Sequence, residues 1–104
     1  MTLSTPMSAR HTVFFVSDGT GITAETLGHS LLSQFEDIQT AQVRMPFIDS
    51  VAKATDCVAR INAAGMKDGH RAIVISTLVN PESVMVLHQA KGVILDFFGA
   101  FISR

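Results

Sequence analysis

Ser17-Asp18-Gly19-Thr20-Gly21 directly follows the apolar run Val13-Phe14-Phe15-Val16 and directly precedes a helix-patterned stretch that starts at Ile22. A continuous apolar run reads as a strand buried on both faces, and two glycines let backbone N–H groups turn toward a ligand at a helix N-terminus. The chemistry this suggests is anion binding. Asp18 adds a carboxylate able to orient a hydroxyl or hold magnesium, and the hydroxyls of Ser17, Thr20 and Thr23 add further polar contacts.

Other reactive side chains fall after later strand-like segments. Arg44 to Asp49 follows a second predicted strand, Ser76-Thr77 a third and Asp96 a fourth. In a parallel α/β sheet, ligands bind beyond the carboxyl ends of the strands, where these four groups would converge. Arg44 would then serve as counter-charge to a phosphate or nucleotide. Each residue also has a purely structural reading: Gly19 and Gly21 as turn formers, Thr20 or Thr23 as a helix cap, and Asp49 as the cap of the next helix.

Two nucleotide motifs can be weighed directly. Gly19-Thr20-Gly21-Ile22-Thr23-Ala24 fits G-x-G-x-x-G/A, the dinucleotide fingerprint, but Asp18 would repel pyrophosphate and no acidic residue ends the second strand to hold a ribose. A nicotinamide-nucleotide binder is therefore the weakest reading. The phosphate-loop motif G-x-x-x-x-G-K-[ST] is absent from the sequence. His11, His29, His70 and His88 have no partners at metal-ligand spacing and read as surface or hydrogen-bonded residues. Cys57 reads as a small apolar residue near the core, and Met66 and Met85 as gap fillers.

The elements that must position these residues alternate. Strand Thr12 to Ser17 leads to a helix over Ile22 to Phe35, with Ala24, Leu27, Gly28, Leu31, Leu32 and Phe35 on one face. A strand over Gln42 to Met45 is broken by Pro46. Asp49 or Ser50 then caps a helix with Val51, Ala54, Val58 and Ile61 as its buried stripe, ended by Gly65. Arg71 to Thr77 is a third strand. Asn80-Pro81 opens a third helix that Lys91-Gly92 closes, and Val93 to Leu95 is a fourth strand. The predicted architecture is three-layer α/β: a mainly parallel sheet of about four strands in βαβαβαβ order, with helices on both faces.

The chain has 104 residues, 47% of them apolar, and a net charge of −1 spread without a basic stripe, which argues for one globular domain and against nucleic-acid binding. Its single cysteine excludes an intrachain disulfide. Met1 to Arg10 lacks an apolar signal region, and no run approaches the ~20 apolar residues of a membrane helix. The expected organisation is a flexible leader at 1–9, an α/β domain over 10–96, and an apolar segment at 97–104 that either folds back or meets a further domain. The expected setting is the cytoplasm.

The strings FFVSDGTGITAETLGHSLLSQF, MPFID (Met45 to Asp49) and ISTLV (Ile75 to Val79) resemble the amino-terminal part of the phosphoenolpyruvate synthase and pyruvate, phosphate dikinase regulatory proteins. That resemblance covers Arg10 to the end of the chain. It implies a bifunctional enzyme that phosphorylates a threonine of its target with ADP as donor and removes the phosphate by phosphorolysis with inorganic phosphate. It also implies that the ADP-binding phosphate loop lies in a carboxyl-terminal domain outside this chain, so the chain alone would not be catalytic. Ser17, Asp18, Gly19, Thr20, Gly21, Thr23 and Arg44 are then the candidate binding residues. The partner would be phosphoenolpyruvate synthase or pyruvate, phosphate dikinase. The alternative is a non-catalytic docking or dimerisation module, a homodimer built on Phe97, Phe98 and Phe101.

Overall fold

A computed structural model describes residues 11–35 and 39–98. Four strands, β1 (His11–Val16), β2 (Thr40–Met45), β3 (Ala72–Ser76) and β4 (Gly92–Asp96), alternate with three helices, α1 (Ile22–Leu32), α2 (Val51–Asp68) and α3 (Pro81–Leu87). All strand pairs are parallel and the order is β2-β1-β3-β4, so the three-layer α/β architecture is as expected. The predicted leader at 1–9 and residues 99–104, including Phe101, lie outside the described residues.

The order follows from where the apolar side chains go. β1 is buried along almost its whole length and occupies the middle of the sheet. Successive residues of β1 point to opposite faces. Val13 and Phe15 join Ala24 of α1 and Ile75 of β3 in one cluster. Phe14 and Val16 join Ala54, Cys57 and Ile61 of α2 and Leu87 of α3 in the other. The helix after β1 therefore covers one face, and those after β2 and β3 cover the other, as right-handed crossovers to the left and right of β1 require.

Gly28 permits the close packing of α1. A Cβ at this position would run into the buried ring of Phe15. Only Ala24 and Gly28 of α1 are buried; Leu27, Leu31 and Leu32 are half-covered, and the helix ends at Leu32 with Phe35 half exposed beyond it, shorter than its apolar pattern predicts.

Several local expectations need correction. Gly65 does not end α2. The helix continues to Asp68, and Gly69, with φ 73°, takes the left-handed C-cap position while its N–H bonds Gly65 O. Of the two expected caps, Ser50 and not Asp49 is the N-cap: its side chain accepts from Lys53 N at 3.2 Å, and Asp49 pairs instead with the Lys53 ammonium at 3.1 Å. Met66 and Met85 fill no gap, being 85% and 71% exposed. The third helix also stops at Leu87, short of Lys91; the chain turns there and buries Ala90 against the α2 and α3 face. Asn80 caps it as expected, accepting from Ser83 N at 3.1 Å.

Candidate functional site

Because α1 and α3 leave β1 and β3 for opposite faces, the loops after these adjacent strands diverge and open a crevice at the carboxyl edge. This is the topological switch point at which open α/β sheets bind ligands. A cavity of about 310 Å³ lies there, lined by Ser17, Asp18, Gly19, Thr20, Gly21 and Thr23 from the β1–α1 side, by Thr77 and Val79 from the β3–α3 loop, and by Phe98.

The loop after β1 is held by its own side chain and by its neighbour. Ser17 Oγ accepts from Gly19 N at 3.0 Å, closing a tight turn. Gly21 takes the N-cap position of α1 at φ 92°, a conformation that glycine adopts without steric penalty. No side chain caps this end of α1; Thr20 Oγ1 sits 3.5 Å from the Ile22 amide, a long contact. The first amides of a helix lack intrahelical acceptors, so this end offers donors and a partial positive charge to an anion.

Three predicted members stand apart from the cavity. Arg44 does not line it; its guanidinium forms a two-pronged ion pair with Glu25 of α1, with Nη2–Oε1 and Nη2–Oε2 at 2.8 and 2.7 Å and Nε–Oε2 at 3.0 Å. Its stem packs where a side chain at Gly21 would go, the nearest atom lying 3.3 Å from that added Cβ. Arg44 thus braces the start of α1, and its charge is already balanced. Asp96 faces His88, 2.9 Å from its Nε2. Ser76 is fully buried and its Oγ accepts from Leu78 N at 3.2 Å, so it shapes the β3 loop while Thr77 lines the cavity.

Other polar groups can be placed. His29 bonds Gln42 at 2.9 Å, but His11, packed against the tilted ring of His70 with ring centroids 4.8 Å apart, keeps a buried Nδ1 with no hydrogen-bond partner among the described residues. Cys57 is fully buried, and burial pushes its thiol up to about 11, against a smaller opposing pull from Arg60. It is an unreactive core residue. Among the described residues no group of three or more His, Cys, Asp or Glu side chains is placed to hold a metal ion, and no helix is long and apolar enough to cross a membrane.

Sequence reasoning missed Val79 and Phe98 as cavity walls, whereas Phe47, inside the Arg44 to Asp49 stretch expected to converge here, does bond the loop at Gly19 O.

The chain is 60% identical over 91 residues to a phosphoenolpyruvate synthase regulatory protein of Azoarcus sp., covering 88% of this chain and 33% of that protein. Proteins of the same name from Alcanivorax borkumensis and Bordetella pertussis are 53% and 52% identical, over 89% and 97% of this chain and 34% and 36% of their own lengths. The chain thus spans about a third of the length of these curated relatives. The family model described as kinase/pyrophosphorylase matches residues 13–104, from the middle of the central strand to the last residue given, and the chain belongs to that family.

Proposed function

We propose that this chain is the amino-terminal α/β domain of a cytoplasmic, bifunctional regulator of phosphoenolpyruvate synthase or pyruvate, phosphate dikinase, and that its Ser17–Gly21 loop receives a phosphate group. The whole regulator would be an ADP-dependent threonine kinase and a phosphate-dependent pyrophosphorylase. The observation that carries the assignment is the position of the loop: a glycine-rich turn with an uncapped helix N-terminus lines a crevice at the sheet's switch point. The names of the relatives support the partner, and the absence of G-x-x-x-x-G-K-[ST] argues against assigning ADP to these residues.

The Gly21 amide would donate to phosphate oxygens, with Thr20, Thr23 and Thr77 hydroxyls around them, while the Gly19 amide stays with Ser17 Oγ and holds the turn. Asp18 would orient a hydroxyl on the partner or on the incoming phosphate. Arg44 would act through Glu25 and α1 and not as a direct counter-charge. Replacing Gly21 by Val tests the site. A β-branched residue cannot hold φ 92° without strain, so phosphate affinity should fall at least tenfold or so while helix content changes little. Unchanged phosphate affinity in a folded Gly21→Val variant would remove the assignment.

A docking or dimerisation module is the second reading. It is favoured by Ile22, Phe47, Val79 and Phe98, which are 40 to 64% exposed on segments that follow the four strands. Sedimentation at several concentrations, with and without phosphate, separates the two. A phosphate-binding monomer supports the first, and a dimer indifferent to phosphate supports the second.

A further inference from the structure

Phe47 is the one non-glycine among the described residues with positive φ, 59°, and the residue is 53% exposed. A bulky side chain in the left-handed region is an outlier that asparagine or glycine would relieve, and an exposed ring gains little from burial in return. Something local must hold this conformation. Phe47 N–H donates to Gly19 O at 2.8 Å and Ile48 N–H donates to Ser17 O at 2.8 Å, while Ser17 N–H donates to Met45 O at 3.1 Å. The turn at Phe47 thus extends the β1–β2 pairing past the end of the sheet and ties Met45–Ile48 to Ser17–Gly19 as a strap.

The direction of these bonds has a chemical result. Ser17 C=O shares a peptide plane with Asp18 N–H, and Gly19 C=O shares one with Thr20 N–H. In a trans peptide the two groups point opposite ways, and no described peptide is cis. Both carbonyls are drawn toward the β2 side. The Asp18 and Thr20 amides must then face away from β2, and β1 lies between β2 and β3, so away from β2 is toward the crevice against Thr77 and Val79. Without the strap, either peptide could flip and present a carbonyl oxygen to an anion.

We infer that Phe47 is a positioning residue whose left-handed backbone aims the Asp18 and Thr20 amides at the bound phosphate group. This rests on the phosphate reading of the Ser17–Gly21 loop and adds the device that orients it. The contribution lies in the backbone at position 47, not in the aromatic ring.

The test is an amide-resolved NMR titration of the 104-residue chain with inorganic phosphate, in the wild type and in Phe47→Asn and Phe47→Val variants. Asparagine tolerates the left-handed conformation and valine does not. The inference expects Asp18 and Thr20 amides to shift on titration of the wild type. Phe47→Asn should keep the affinity within about threefold, with Phe47 and Ile48 positions still protected from hydrogen exchange. Phe47→Val should lose about tenfold or more, and its Asp18 and Thr20 resonances should already differ in the free protein, while those of the α2 core stay in place. Wild-type binding matched by Phe47→Val overturns the inference and leaves the loop assignment standing. A wild type that binds no phosphate overturns both. Should Phe47→Val fail to fold, Phe47→Asn decides alone: retained affinity supports the backbone role, and a tenfold loss there overturns it in favour of the ring.

Discussion

The two faces of the sheet are finished to different degrees. On the face carrying α2 and α3, twelve buried residues form one cluster, among them Phe14, Val16, Cys57, Ile61, Val74 and Leu87. On the face carrying α1, the buried cluster is Val13, Phe15, Ala24 and Ile75, with Leu31, Leu32, Ile73, Leu95 and Phe97 only partly covered around it. A largely apolar groove of about 490 Å³ lies between the end of α1 and strands β3 and β4, with Val93 46% exposed on its wall. The difference comes from topology: two rightward crossovers, β2 to β3 over β1 and β3 to β4, place both of their helices on one side, and the single leftward crossover from β1 to β2 leaves an 11-residue helix for the other. The same asymmetry creates the crevice, because the loops after β1 and β3 part where their helices separate.

If stability resides mainly on the two-helix face, deleting side chains there should have the largest effect. Ile61→Ala removes a fully buried branched side chain from the middle of α2 and is expected to cost about 3 kcal/mol in urea unfolding, within the usual 2 to 5. A cost below about 1 kcal/mol would mean that α2 is not the main packing element. Next comes Gly28→Ala on the opposite face. Helix propensity favours alanine, but the added methyl meets the Phe15 ring, so a net destabilisation of about 1 to 3 kcal/mol is expected. A stabilised variant would show that α1 is free to lift away from the sheet.

The smallest effect is read from pH. Burial of Cys57 raises its thiol from 9.0 to about 11 in the folded protein, so the folded state holds its proton more tightly than the unfolded state does. This contribution is complete below about pH 9 and is lost as pH rises toward 11, by roughly 1 kcal/mol at pH 10. Comparing wild type with Cys57→Ala across that range isolates it, and parallel pH profiles would show that the two-helix face admits water.

The alternation of elements was legible because β1, β3 and β4 each carry a short apolar run, β2 is marked by the Pro46 break that follows it, and the start of α3 carries the Asn80-Pro81 signal. Strand order was not, since βαβ crossovers of similar length can place β3 on either side of β1. Gly65 and Gly69 are equivalent as stop signals until the fold shows that only Gly69 has left-handed backbone. The residues that line the crevice from the β1 side could be picked out by glycine and hydroxyl content alone, and the structure brings Ser17 to Gly21 and Thr23 together around one cavity. The fate of Arg44 was not legible, because Glu25 lies 19 positions away on another element and only tertiary packing pairs them. Phe47 was also hidden, since a left-handed turn is ordinarily announced by glycine or asparagine, and here backbone hydrogen bonds to the β1 loop impose it on phenylalanine.

The central claim is that the crevice between the β1 and β3 loops receives a phosphate group. The most direct measurement is the titration of wild-type protein with inorganic phosphate, followed at every backbone amide. The claim predicts saturable shifts concentrated at Asp18 to Thr23 and at Thr77 to Val79. Shifts that never saturate, or that gather around Lys53, Lys67 and Lys91 while the loop amides stay still, would contradict it.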